Sequence, residues 1–126
     1  MVVTHDGNAN LVFAEKLLNA EAALSEGRTK DAMQKYQAAV LSAEASGLRQ
    51  YRALALERWG NAEAKTGKYG DTCHRWETAV SIYQEWGAAA VAQKLQRKID
   101  DLQKANLTLE QASSYSLSTA SIRAVA

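Results

Sequence analysis

The sequence predicts an all-α fold, and three observations point to this class. Proline is absent from the 126 residues, alanine is abundant, and apolar side chains recur at three- and four-residue steps. Alanine is the strongest helix former, and apolar residues at this spacing give a helix one apolar face. Hydrophobic residues make up 47% and charged residues 23% of the chain, as in folded globular proteins. We therefore expect one folded helical domain.

Glycines at a regular spacing mark the ends of the predicted helices. Gly27, Gly47, Gly67 and Gly87 each follow a stretch with helical apolar spacing. Glycine adopts the left-handed conformation that ends a helix without a Cβ penalty. The turns are short, so successive helices are expected to lie antiparallel. The predicted helices span residues 10–26, 30–46, 48–66, 70–86 and 88–105.

The second half of this helical region repeats the first with a period of about 40 residues. Gly27 corresponds to Gly67 and Gly47 to Gly87, and several residues between the glycines correspond as well. These pairs are Asp31 with Asp71, Tyr36 with Trp76, Ala39 with Ala79 and Val40 with Val80. The pattern indicates stacked helical hairpins, each with an apolar face that only its neighbours can cover.

Gly60 is unusual because it lies inside the third predicted helix, directly after Trp59. A glycine inside a helix costs about 1 kcal/mol relative to alanine. We therefore expect a compensating close approach of another part of the backbone at this position.

Residues 53–86 resemble a tetratricopeptide repeat, a helix-turn-helix unit. The resemblance rests on Trp59-Gly60, Gly67, Tyr69, Trp76 and Ala79, which match its large-small pair, its turn and its second helix. Thr72 stands where the family has alanine, and Gln84-Glu85 where it has proline. Residues 13–46 resemble the unit through Ala20, Gly27, Ala32, Tyr36 and Ala39.

A period of about 40 residues looks like the long-helix variants of this family in kinesin light chains and Pins-type scaffolds. The resemblance implies a short right-handed solenoid of five to six helices. The alternative interpretation is a generic helical bundle whose similar segments share only heptad-like spacing.

In the family, the first helix of each repeat lines a concave groove that binds peptides or partner helices. This implies a groove with Leu17 and Glu21 from the first helix and Leu54 from the third. The residues predicted to bind a partner are Glu57, Asn61, Lys65, Lys94, Arg97, Lys98 and Asp101. The basic residues fit an acidic peptide, but a solvated face with local pairs to Asp100 and Asp101 is the favoured interpretation of this charge pattern. Leu17 and Glu21 do not fit the carboxylate clamp of the chaperone-binding members.

We therefore predict a protein-interaction adaptor or scaffold. The alternative function is a small repeat-type chaperone or assembly subunit, which could act as a homodimer. An enzyme is not expected, because the adjacent Cys73 and His74 point about 100° apart on a helix and the sequence has no phosphate-binding loop. Cys73 is expected to be buried and inert, and neither a catalytic residue, a cofactor nor a metal is predicted. Trp86 and Tyr51 are candidates for exposed contacts.

Composition also bears on partners and location. A formal net charge of +1 disfavours nucleic-acid binding. A membrane span, which requires roughly 18 or more apolar residues in a row, is not expected. The single cysteine fits a reducing compartment, so a cytoplasmic location is predicted.

The predicted domain organisation has three parts. Residues 1–9 form a flexible leader, residues 10–112 the helical repeat domain, and residues 113–126 a tail or a C-terminal capping helix. A further interpretation is that the C-terminal segment, or the face of the fifth helix, pairs with a second copy of the chain.

Overall fold

A computed structural model describes residues 5–67 and 71–106, with side chains from residue 9 onward. Within these residues the secondary structure is entirely helical, which confirms the predicted all-α class. Five helices follow one another: α1 (His5–Ser25), α2 (Thr29–Ala45), α3 (Arg49–Thr66), α4 (Thr72–Glu85) and α5, which begins at residue 89 and is helical through residue 106.

The helix boundaries agree with the prediction except at the N-terminus. α1 begins at His5, so residues 5–9 of the predicted leader are helical. The other described boundaries lie within two residues of the predicted ones. The predicted tail or capping helix at 113–126 lies outside the described residues.

The predicted glycine turns are confirmed by the backbone conformation. The φ angles of the four turn glycines are 81°, 69°, 79° and 82°, in the left-handed region. At the first turn the Gly27 N–H donates to the Leu24 carbonyl at 3.0 Å and the Arg28 N–H to the Ala23 carbonyl at 2.9 Å. This pair of hydrogen bonds satisfies carbonyls that the end of α1 would otherwise leave unpaired.

Contacts between helices show how the chain folds back on itself. Arg49, at the start of α3, pairs with Glu85 at the end of α4. Glu63, near the end of α3, pairs with Arg75 near the start of α4. This reversed order makes α3 and α4 antiparallel, as predicted. α1 also packs on α2, and α2 on α3.

Small residues dominate the contacts between helices, and large aromatic side chains from α2 and α4 fill the space that remains. Tyr36 is fully buried, and the Trp76 side chain is 4% exposed. Most of the buried alanines belong to α1, α2 and α3: Ala20, Ala23, Ala32, Ala39, Ala43, Ala53, Ala55 and Ala62. Alanine lets helix backbones approach closely, so the rings can reach across to neighbouring helices.

Gly60 is explained by a side chain and not by a backbone, so the predicted backbone approach is wrong. A Cβ atom at this position would lie 2.4 Å from Trp76 Nε1 and 2.6 Å from Trp76 Cδ1. The indole of α4 therefore occupies the space that an alanine at position 60 would need. It is held there by a hydrogen bond from Trp76 Nε1 to the Glu57 carbonyl oxygen at 3.2 Å.

Candidate functional site

Two of the predicted binding residues meet between α3 and α5. Lys98 Nζ donates a hydrogen bond to Asn61 Oδ1 at 2.7 Å. The same ammonium group lies 5.1 Å from the centre of the Trp76 ring of α4. The aromatic face attracts the cation, so the amide and the indole together fix the position of the Lys98 charge.

A similar arrangement joins α1 to α3. Arg58 Nη1 donates to Glu21 Oε1 at 2.8 Å, and Tyr36 Oη donates to Glu21 Oε2 at 2.5 Å. Burial, followed by the hydrogen bond to Glu21, raises the pKa of Tyr36 well above its usual range. Both oxygens of Glu21 are therefore engaged by groups from two other helices.

The two arrangements share one register. Glu21 and Arg58 are 37 residues apart, and so are Asn61 and Lys98. Phe13 of α1 stacks on Tyr51 of α3, and Glu21 binds Arg58 closer to the C-terminal ends of the same two helices. α1 and α3 are therefore parallel. The two rings lie 5.0 Å apart between centroids, with an interplanar angle of 13°. α1 and α3 thus run in the same direction and meet along matching faces.

An apolar cavity of about 500 Å³ lies between α1 and α3. Its walls include the Phe13–Tyr51 stack and Leu54, which the sequence placed in the groove. Leu11 and Leu18, one heptad apart at its mouth, are each 68% exposed. Neither leucine was predicted as a groove residue, although their seven-residue spacing, off the buried stripe of α1, was a usable signal.

A second, more polar cavity of about 260 Å³ continues along the same two helices. It lies where Glu21 and Arg58 meet, and the predicted binding residues Asn61 and Lys65 line it. The groove between α1 and α3 therefore changes from apolar at one end to charged at the other.

Glu57, also predicted to bind a partner, anchors α4. Its carboxylate accepts a hydrogen bond from Tyr83 Oη at 2.9 Å, and its carbonyl accepts one from the Trp76 indole. Burial, followed by the hydrogen bond to Glu57, raises the pKa of Tyr83 above its usual range. Glu57 thus has a structural role in this fold.

The remaining predicted residues lie on α5 and are exposed: Lys94, Arg97 and Asp101. Lys94 and Asp101 are one helical turn from Lys98 and share its face. Arg97 is rotated by about 100° from Lys98, away from the buried Leu95 and Ile99. Among the described residues, none of the three α5 cations Lys94, Arg97 and Lys98 has a carboxylate oxygen within 4.0 Å, and Asp100 accepts from Gln96 instead.

A mostly buried cluster between α3 and α4 was not predicted from the sequence. Arg75 Nε and Nη2 donate to the two oxygens of Glu63 at 2.8 and 3.3 Å. The Arg75 guanidinium carbon lies 3.4 Å from the centre of the Trp59 ring. The side chains of Arg75 and Glu63 are only 17% and 12% exposed, so this ion pair ties the two helices together.

Cys73 and the two exposed-contact candidates fall in different environments. Cys73 is half-buried, where full burial was expected, and burial, followed by the charge of Glu77, raises the pKa of its thiol. A raised pKa keeps the sulfur protonated and weakly nucleophilic. Trp86 is 60% exposed at the end of α4, whereas Tyr51 is half-buried under Phe13.

Comparisons with known proteins return no relatives: no protein-family model, curated protein sequence or solved structure matches this chain. In the part of the chain that the structure describes, none of the helices has the length and apolar character needed to cross a membrane.

Proposed function

We propose that this chain is a tetratricopeptide-like helical repeat that acts as a protein-interaction adaptor without a catalytic step. Its helices would stack as a short right-handed solenoid. A segment of a partner protein would lie in the concave groove lined by α1, α3 and α5.

The observation that supports the repeat is a contact that recurs with the sequence. A shift of 40 positions maps three interacting residues onto three others: Glu21 onto Asn61, Tyr36 onto Trp76 and Arg58 onto Lys98. Generic heptad spacing gives similar helices, but it does not by itself repeat a contact that joins three helices. Stacking of equivalent units does repeat such contacts.

Partner binding is supported by the exposed apolar surface along α1, beside α3. The groove between α1 and α3 has two exposed leucines, Leu11 and Leu18, above an apolar cavity of about 500 Å³. Cavities of this size with apolar walls and a few polar groups are typical binding sites. The even-numbered helices supply Tyr36 and Trp76, which hold the stack together.

A matched pair of variants tests the groove. Leu18 lies at the mouth of the cavity, and Leu41 lies on α2 and is 54% exposed. Because both side chains are already in water, aspartate at either position should leave the helical circular dichroism unchanged. Peptides selected on the wild-type chain from a phage library of random 12-residue sequences should lose at least tenfold in affinity with Leu18→Asp. They should keep their affinity with Leu41→Asp, and equal effects of the two substitutions would refute the groove.

A chaperone-like or assembly role with a homodimer is the second candidate. It is favoured by the same exposed leucines, because Leu11 and Leu18 are spaced like the apolar residues of a coiled-coil seam. Light scattering distinguishes the two functions. A dimer that Leu11→Asp with Leu18→Asp converts to a monomer would support this candidate, and a wild-type monomer at high concentration would reject the self-pairing form.

A further inference from the structure

We propose that the segment held in the groove presents an apolar residue to the cavity between α1 and α3 and a carboxylate to Lys98 beside α5. This inference rests on the proposed function and adds the chemistry and the orientation of the ligand. It follows from a difference in charge between two contacts whose residues occupy equivalent positions in the repeat.

The first contact carries no net charge, and we call it the closed Glu21–Arg58 pair. Glu21 neutralises Arg58, and its second oxygen accepts the Tyr36 hydroxyl. A ligand carboxylate placed here would meet the negative charge of Glu21 as well as the positive charge of Arg58, so it would gain little.

The second contact leaves a positive charge uncompensated. Lys98 donates one hydrogen bond to the neutral amide of Asn61 and lies over the Trp76 ring. Within the described residues no carboxylate oxygen lies within 4.0 Å of Lys98 Nζ. A lysine ammonium has three N–H donors, so Lys98 can bind a carboxylate while it keeps its bond to Asn61.

The surroundings of Lys98 strengthen this preference. Lys94 lies one turn before it on α5, and Lys65 lies one turn after Asn61 on α3. The acidic group nearest in sequence on the same face of α5 is the exposed Asp101. Glu57, one turn before Asn61 on α3, has its carboxylate bound by the Tyr83 hydroxyl, so this end of the groove carries three cations and two anions and keeps a net positive charge.

The apolar end of the groove fixes the direction of the ligand. The cavity walls include Phe13, Leu54 and the two exposed leucines, and the closed Glu21–Arg58 pair stands at its edge. An apolar side chain that fills this cavity removes Leu11 and Leu18 from water. The ligand must then extend past the closed pair before its carboxylate reaches Lys98.

Amide-to-acid substitutions test the charge difference. Asn61→Asp keeps the shape of the side chain and gives Lys98 a carboxylate, as Glu21 does for Arg58. Gln34→Glu makes the same change in net charge on the exposed side of α2 and serves as the control. The probe is the phage library of random 12-residue peptides, sorted on each variant and sequenced.

On the wild-type chain, the enriched peptides should contain Asp or Glu together with Leu, Ile, Phe or Trp. Asn61→Asp should remove the acidic enrichment and weaken the best wild-type peptide about fivefold, as expected for an exposed ion pair. Gln34→Glu should change neither result. Glu21→Gln, which frees Arg58, should strengthen acidic peptides.

The outcomes separate this inference from the proposed function. Peptides that require Leu18 but show no acidic bias, or that respond equally to Asn61→Asp and Gln34→Glu, would overturn the inference and leave the groove intact. Failure to enrich any peptide, or peptides insensitive to Leu18→Asp, would overturn both.

Discussion

The two helical hairpins of this protein share a backbone plan and differ in the chemistry that holds it together. In the first unit, α1 and α2, Tyr36 is fully buried and binds Glu21, and the fully buried Ala20 stands at the position equivalent to Gly60. In the second unit, α3 and α4, Trp76 packs on Gly60 and lies beneath Lys98. A larger ring on one helix accompanies a smaller residue on the other, so the total volume at the crossing is maintained.

Position in the repeat brings equivalent residues near one another, while side-chain type determines which contacts form. At equivalent positions Lys35 makes a long, exposed pair with Asp31, whereas Arg75 keeps the equivalent pair with Asp71 and adds a mostly buried cluster with Glu63 and Trp59. The first unit is therefore joined mainly by packing, and the second is reinforced by polar contacts. This difference can be tested one residue at a time.

The largest effect is expected at the two cations that occupy equivalent positions. Arg75→Ala removes the partner of Glu63, whose mostly buried carboxylate would then lack a cation, so the free energy of unfolding should fall by about 3 kcal/mol. Lys35→Ala removes a pair whose side chains are both 38% exposed and should cost less than about 0.5 kcal/mol. Urea unfolding monitored by circular dichroism measures both values. A loss from Arg75→Ala as small as the one from Lys35→Ala would mean that the Arg75 cluster adds no stability.

A smaller loss is expected from Gly60→Ala. The new Cβ would lie 2.4 Å from Trp76 Nε1, and overpacking of this kind should cost about 2 kcal/mol despite the better helix propensity of alanine. When Trp76→Tyr is already present, as in the first unit, Gly60→Ala should cost less than about 0.5 kcal/mol. A double-mutant cycle measures this coupling. The same loss in both backgrounds would show that the indole does not set the need for glycine.

The two buried tyrosines should make stability fall at high pH. The pKa values of Tyr36 and Tyr83 are both raised, chiefly by burial, so the folded chain keeps protons that the unfolded chain loses above about pH 10. Stability is therefore full below that pH and decreases above it. Tyr36→Phe should cost about 1 kcal/mol at neutral pH and reduce the alkaline decrease. Urea unfolding over a pH series measures this, and an unchanged alkaline slope would contradict the assignment.

The smallest effect is expected at Thr72, whose equivalent in the first unit is Ala32. Thr72 is fully buried, and its hydroxyl has no hydrogen-bond partner among the described residues. Thr72→Ala should therefore change stability by less than about 0.5 kcal/mol, because the loss of a methyl group is offset by removal of the unpaired hydroxyl. Ala32→Thr, which buries a new hydroxyl, should be destabilising. Thermal melts of both variants make the comparison, and a large loss for Thr72→Ala would indicate a missing partner.

Local features of the fold were predictable because single residues specify them. The glycine turns follow from the left-handed conformation, which few other residues adopt. The buried stripe of α5, with Ala92, Leu95 and Ile99, follows from helical spacing. The early start of α1 at His5 was missed because the first residues contain few apolar side chains to reveal a helix.

Contacts between distant segments were harder to predict. Trp76 fills the space above Gly60 because of the way α4 packs on α3. The helix propensity of single residues does not specify this packing. The pairing of Arg58 with Glu21 joins residues 37 positions apart on α3 and α1, and helical spacing within each helix does not specify it. The Trp59–Arg75–Glu63 cluster has no counterpart in the first unit, so the repeat gave no signal for it.

The position of Trp76 beneath Lys98 gives the protein an intrinsic optical reporter. Indole fluorescence responds to nearby charge and to water, and the three tryptophans have distinct surroundings. Trp59 lies under a guanidinium, Trp86 is 60% exposed, and Trp76 is buried with an ammonium group 5.1 Å from its ring. Replacing Trp86 with phenylalanine would remove the solvent-exposed emission. Events at Lys98 could then be followed by a wavelength shift from inside the core, without any attached dye.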